Sequence, residues 1–193
     1  MKKEELLNKL RSNTKFAFDM PDMQIDAITY DDPVHQFIKM SQSVGGDVEE
    51  VKEDNYNIND IIRKHYPDAR HIASNMEEVT IANLNPDTIA EAKDLNGTDV
   101  AVVKGEWGVA ENGCIWVPQT MKEKAELFIT EVLVIVLSRQ RILNNMHEAY
   151  ARIEMTSYGY GCFISGPSKT ADIEQALVLG AQAARSVLVI VTP

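Results

Sequence analysis

The chain has 193 residues, close to the usual size of one domain, and its 45% hydrophobic content is enough to bury a sizeable core. Lys plus Arg is 19 against 29 for Asp plus Glu, a net charge of -10 with no basic cluster, which excludes a nucleic-acid-binding surface built on phosphate neutralisation. The two cysteines, Cys114 and Cys162, lie among apolar neighbours with no CxxC or HxxxH spacing, so they read as core residues and no metal site is expected.

Residues 1–11 predict a helix with Leu6, Leu7 and Leu10 on one face, and lack the apolar core of a signal peptide. Residues 12–31 carry few periodic signals and read as a long loop, so that 1–31 form an N-terminal helical arm. Asp32-Pro33 starts a helix with Val34, Phe37, Ile38 and Ser41 inward, and Gly45-Gly46 ends it. Asp47–Val51 predicts a short strand, 57–65 a helix with Ile58, Ile61 and Ile62 buried, and His71–Ala73 a weak strand. Asn85-Pro86-Asp87 repeats the cap-then-proline start, and Asn96-Gly97 closes the helix expected there.

Asp99–Val103 reads as a strand. Glu111-Asn112-Gly113 lies between Trp107–Ala110 and Cys114–Val117, and Asn-Gly between apolar runs signals a hairpin, with Glu111 at its tip. Ile129–Leu137 is a near-continuous apolar run, as expected of a central strand covered on both faces. It is also far too short to span a bilayer. Ser138 caps a predicted helix bearing Ile142, Leu143, Met146, Ala149, Tyr150 and Ile153; Arg139, Arg141 and His147 read as its surface residues. A strand over 160–165, a helix from about 170 with Ile173, Ala176, Leu177 and Gly180 on one side, and a strand over 187–191 complete the chain. With no repeat or linker, the expectation is one domain over 1–193. The expected fold class is α/β: a three-layer α/β/α sandwich with a largely parallel sheet plus a β-hairpin. The expected compartment is the cytoplasm.

Two segments carry chemistry. Gly166-Pro167-Ser168-Lys169-Thr170-Ala171-Asp172 follows a predicted strand and is expected to open a helix, whose first N–H groups are free to hold an anion. Gly166, Pro167, Ser168, Lys169 and Thr170 are the ligand-binding candidates, and Asp172 is either a general base or a first-turn carboxylate. The same residues would equally make a well-capped helix with no ligand. Glu111, flanked by Asn112 and Gly113, is a candidate base or nucleophile, or a solvated turn residue. No Walker A loop, GxGxxG or nucleophile elbow is present.

The run Ile164-Ser165-Gly166-Pro167-Ser168-Lys169-Thr170-Ala171-Asp172-Ile173-Glu174 resembles the C-terminal signature of the LUD-domain family, lactate-utilisation protein C type. Val109-Ala110-Glu111-Asn112-Gly113 resembles that family's Ala-Glu-Thr-Gly landmark. The resemblance covers the chain from about residue 30. It implies a fold like ribose-5-phosphate isomerase, glucosamine-phosphate deaminase and CoA transferases. It also implies a non-redox role in L-lactate oxidation to pyruvate, beside iron–sulfur partner subunits. No cofactor is expected on this chain itself; any cluster would sit in a partner. The implied ligand is a small anion: lactate, an acyl-CoA or a phosphorylated compound. Relatives carry Gly-Val-His-Gly-Pro where this chain has Gly180-Ala181-Gln182-Ala183-Ala184. More distantly, Ala110-Glu111-Asn112-Gly113 is similar to the Ser-Glu-Asn-Gly motif of CoA transferases, whose Glu forms a thioester. Three readings follow from these likenesses: a lactate-oxidation accessory; a stand-alone CoA-transferase-like or sugar-phosphate enzyme using Glu111; and an interaction module with a vestigial pocket. Whether the chain itself is an enzyme stays open among them.

Overall fold

The structure, a computed structural model, describes residues 2–13, 18–19, 21, 25–155, 158–173 and 176–193, with the backbone alone at 171–173 and 176–177. Five parallel strands form the central sheet: β1 (Asp47–Glu50), β2 (Ile72–Ala73), β3 (Val100–Lys104), β6 (Val132–Ser138) and β11 (Ser186–Thr192), in the order β1-β11-β6-β3-β2. The registers Val100↔Val132 and Val132↔Ser186 start the three central strands at one level. Because the strands are parallel, all of them end on the same edge.

The centre alternates to both faces. Ala101, Val103, Leu133, Ile135, Leu137, Val187, Val189 and Val191 join one core cluster, while Val100, Val102, Val134, Leu188 and Ile190 join another. Helix α3 (Ile58–His65), capped by the Asn57 side chain, places Ile58 and Ile62 in the second cluster. The first cluster is covered by Phe37 of α2 (Pro33–Ser43) and by a four-stranded mixed sheet. That sheet comprises β4 (Trp107–Val109), β5 (Ile115–Pro118), β7 (Ile142–Leu143) and β8 (Gly161–Ile164). The result is an α/β sandwich with a parallel central sheet, as expected, but one cover is partly β. In the N-terminal arm, α1 (Lys3–Ser12) has no buried residue, and Tyr30 N–H donates to Asn144 Oδ1 at 2.9 Å.

Three expected helices differ. Residues 86–96 form a turn and a short 3₁₀ segment, Ala92–Leu95, rather than an α-helix. Asp87 is held there by the Lys122 N–H at 2.7 Å and the Asn75 amide at 3.1 Å. The segment after Ser138 splits. Ser138 caps only the 3₁₀ turn Arg139–Arg141, Ile142 and Leu143 pair with Gly108 and Val109, and helix α5 covers Met146–Arg152. The helix expected from 170 is instead a hairpin, β9 (Lys169–Ile173) with β10 (Ala176–Leu179). Of the signature, Glu174 lies outside the described residues, as does the side chain of Asp172.

Two positions set stability. Gly113 has φ +67°, and a Cβ there would lie 2.6 Å from Ser41 N, in the backbone of α2. Gly97 has φ +80° but faces open space. In urea denaturation, Gly113→Ala is expected to lose about 2–4 kcal/mol, from the left-handed conformation and the backbone clash together. Gly97→Ala should lose only about 1 kcal/mol. Equal losses would contradict the close approach.

Glu126, at the start of α4 (Glu126–Ile129), is 1% exposed, and among the described residues neither carboxyl oxygen has a hydrogen-bond partner. Burial, then the nearby Asp87 carboxylate, push its pKa from 4.5 up to about 8. The folded state therefore keeps a proton that the unfolded chain releases. Its stabilising effect is complete below pH 4.5 and is lost as pH rises towards about 8. Within that window the slope approaches about 1.4 kcal/mol per pH unit. Urea unfolding at pH 5, 6, 7 and 8 should show this fall in the wild type and a flatter curve in Glu126→Gln. Parallel curves would refute it.

Candidate functional site at the edges of the central sheet

The β4–β5 hairpin tip is the first predicted site. The Asn112 side chain accepts from Cys114 N–H at 3.1 Å, and Gly113 N–H donates to the Val109 carbonyl at 2.9 Å. Glu111 is tied at both ends to the β7–α5 connection. Its N–H donates to the Asn144 carbonyl at 3.0 Å, and its Oε2 accepts from Met146 N–H at 3.0 Å. In this structure Glu111 thus adds an acceptor to the first turn of α5, next to the Asn145 cap.

The second predicted site is the 165–170 turn. Ser165 Oγ donates to the Asn112 carbonyl at 3.2 Å, so the two motifs meet there. The end of α2 is wedged between them. Ser41 packs on Gly113; Gly166, at φ +64°, would drive a Cβ to 2.7 Å from Val44 O; Lys169 Nζ donates to the same Val44 carbonyl. Ser168 N–H donates to Ala184 O at 2.9 Å, and Ser168 O accepts from Gly180 N–H at 3.0 Å. Thr170 lies in β9. Because no helix opens here, the free helical N–H groups that motivated an anion site are absent from this turn. A hollow of about 300 Å³ beside it is lined by Phe163, Pro167, Lys169 and Ala184, and by Leu133 and Val187 from the starts of β6 and β11. The turn therefore sits on the amino edge of the sheet.

The carboxyl edge holds a larger cleft of about 490 Å³, lined among others by Tyr56, Lys104, Glu106, Thr120, Ser138 and Arg141. Here β3 ends at Lys104, β6 at Ser138 and β11 at Thr192, with Ser138 opposite Thr192. Ligands of open α/β sheets bind outside this edge. Arg141 lies 4.6 Å from the Trp107 ring centre and Arg152 lies 5.3 Å from it. Among the described residues, neither Lys104 nor Arg141 has an ion-pair partner. Glu106 accepts from Tyr158 Oη at 3.5 Å, which accepts from Trp116 Nε1 at 3.1 Å.

Lys104, Glu106 and Tyr56 did not stand out in the sequence, and Arg141 read as a helix-surface residue. The available signal was a polar residue closing each apolar run: Val103-Lys104, Leu137-Ser138 and Val191-Thr192.

Both cysteines are free, and burial pushes the Cys114 thiol up to about 12. Among the described residues, no group of three or more His, Cys, Asp or Glu side chains is placed to hold a metal. No described helix is long and apolar enough to cross a membrane.

The Glu111 geometry has a measurable consequence. Glu111→Ala should lower stability by about 1 kcal/mol in urea denaturation, as for loss of a helix cap, and Glu111→Gln, which keeps an acceptor, by less. An unchanged Glu111→Ala would remove the capping role.

Comparison with known proteins fits this architecture. The family model described as LUD domain matches residues 34–192. A crystal structure of a DUF162 family protein from Deinococcus radiodurans superposes with a TM-score of 0.65. It covers 86% of this chain and 100% of that one at 15% identity, a likeness of fold alone. No curated protein sequence matches the chain at a significant level. With the matched segment running from α2 through β11, the chain belongs to the LUD domain family.

Proposed function

We propose that this chain is a lactate-utilisation protein of the C type: a non-redox subunit or accessory of L-lactate oxidation that holds a small anion in the carboxyl-edge cleft. Family membership supports the pathway. The observation that carries the site is the pair of cations, Lys104 and Arg141, unpaired among the described residues and lining one cleft with the hydroxyls of Thr120 and Ser138. A carboxylate is recognised by such cations, and an α-hydroxyl by neutral donors and acceptors.

The 180–184 departure favours this edge over the other. Gly180–Ala184 forms the turn before β11, and Ala183 and Ala184 line the amino-edge hollow beside Ser168. Where relatives have His-Gly-Pro, this chain has Gln182, exposed and not part of the hollow's lining, followed by Ala183 and Ala184, which do line it. The imidazole of those relatives is thus replaced by a neutral amide that does not line the hollow, which favours the carboxyl edge as the ligand site.

Oxidising lactate removes two electrons and two protons. In this reading the electrons pass to an iron–sulfur partner subunit, and this chain contributes binding and orientation. The purified chain with lactate and an artificial electron acceptor should show no turnover, whereas adding co-purifying iron–sulfur subunits should restore it. Lys104→Ala or Arg141→Ala should lower the reconstituted rate at subsaturating lactate by a factor of about 10–100, the value of one charge-assisted hydrogen bond. Robust turnover by the isolated chain would overturn the subunit role.

A further inference from the structure

The carboxyl-edge cleft is larger than a three-carbon acid requires. Its 490 Å³ adjoins a second space of about 540 Å³, and the two share Tyr56, Met76, Glu78 and Val136. Each falls in the range of roughly 300–1,000 Å³ typical of sites for drug-sized ligands. Chemistry changes along their length. Lys104 and Arg141 line the first space together with Glu106, Glu78 borders both spaces, and Asp54 and Asn55 line the second, which has no cation. Tyr56 and Met76, at the junction, offer an aromatic face and a thioether; Tyr56 is 40% exposed. Among the described residues, Asp54 and Glu78 have no ion-pair partner.

We propose that the joined spaces bind a nucleoside phosphate, with its phosphate on Lys104 and Arg141, its base against Tyr56 and Met76, and its hydroxyl or amino donors on Glu78 and Asp54. Each part follows from general recognition chemistry. Guanidinium and ammonium groups bind phosphoryl oxygens. Aromatic side chains stack on bases whatever their sequence. Acidic side chains beyond the strand ends accept from ribose hydroxyls. Lactate has an anionic group for the first end and nothing for the second, so the far end selects a longer ligand. The inference rests on the assignment of the carboxyl-edge cleft as the ligand site, though not on lactate as its occupant.

Isothermal titration of the full chain with AMP, ADP, inorganic phosphate, lactate and pyruvate tests this. AMP and ADP are expected to bind at least tenfold more tightly than inorganic phosphate. Tyr56→Ala should weaken AMP by about tenfold or more without changing inorganic phosphate binding. Lys104→Ala should weaken both nucleotide and phosphate. Circular dichroism of each variant controls for folding, and Tyr56 is exposed enough for truncation to leave the core intact. AMP binding no tighter than phosphate, or unaffected by Tyr56→Ala, overturns the inference. Lactate or pyruvate binding without nucleotide binding overturns it while leaving the lactate reading in place. Nucleotide binding together with failed reconstitution of lactate oxidation does the reverse.

Discussion

The constraint on which the rest depends is that β3, β6 and β11 must bury both of their faces. Leu133, Ile135 and Leu137 point into one core and Val134 into the other, and β11 repeats the alternation with Val187, Val189 and Val191 against Leu188 and Ile190. No polar side chain could sit mid-strand without losing hydrogen bonds to water. Chemistry is therefore displaced to the two ends of the strands. The exit from β3 shows how tightly that end is built: a Cβ on Gly105 would lie 2.7 Å from Ile115 Cγ2, so only glycine lets the chain cross from the parallel sheet into β4 beside the cleft.

The two edges spend their polar groups differently. On the amino edge, Ser168 N–H, Ser165 Oγ and Lys169 Nζ all serve the fold. Lys169 meets the last turn of α2, where the helix dipole is negative and a cation is stabilising. On the carboxyl edge, Arg139 is paired with Glu50, but Lys104 and Arg141 find no carboxylate among the described residues. A group satisfied within the fold must give up a bond to engage a ligand; an unpaired cation need not.

Most of the strands were legible because their apolar runs are long and bounded by turn residues. The Asp32 cap was legible because capping is chemistry local to one turn, and its side chain accepts the His35 N–H. The errors fell where a short segment satisfied two periods. Ile142 and Leu143 fit a helical stripe with Met146 and Ala149, yet they pair with Gly108 and Val109, a contact made by residues more than thirty positions away. Ser168, Thr170 and Asp172 look like helix-opening residues, yet Lys169–Ile173 pairs with Ala176–Leu179. Tertiary pairing overrides local preference in such segments. The same limit hid the cleft. Lys104, Ser138 and Thr192 end three strands far apart in sequence, and only the registers bring them together.

The net charge of -10 bears on what the carboxyl edge can accept. Several cations are paired at the surface, Lys64 with Glu49, Lys93 with Glu91 and Arg185 with Glu131, so the acidic excess is left to carboxylates outside these pairs. At physiological salt that excess is screened beyond about 8 Å. A long polyanion must cross and remain near acidic surface, and is disfavoured. In the proposed site a single small anion would meet Lys104 and Arg141 at contact distance, where attraction is screened little, with Glu78 and Glu106 in the same lining. The acidic body therefore disfavours extended polyanions, and the proposed ligand is one small enough to reach Lys104 and Arg141 within a lining that also holds Glu78 and Glu106.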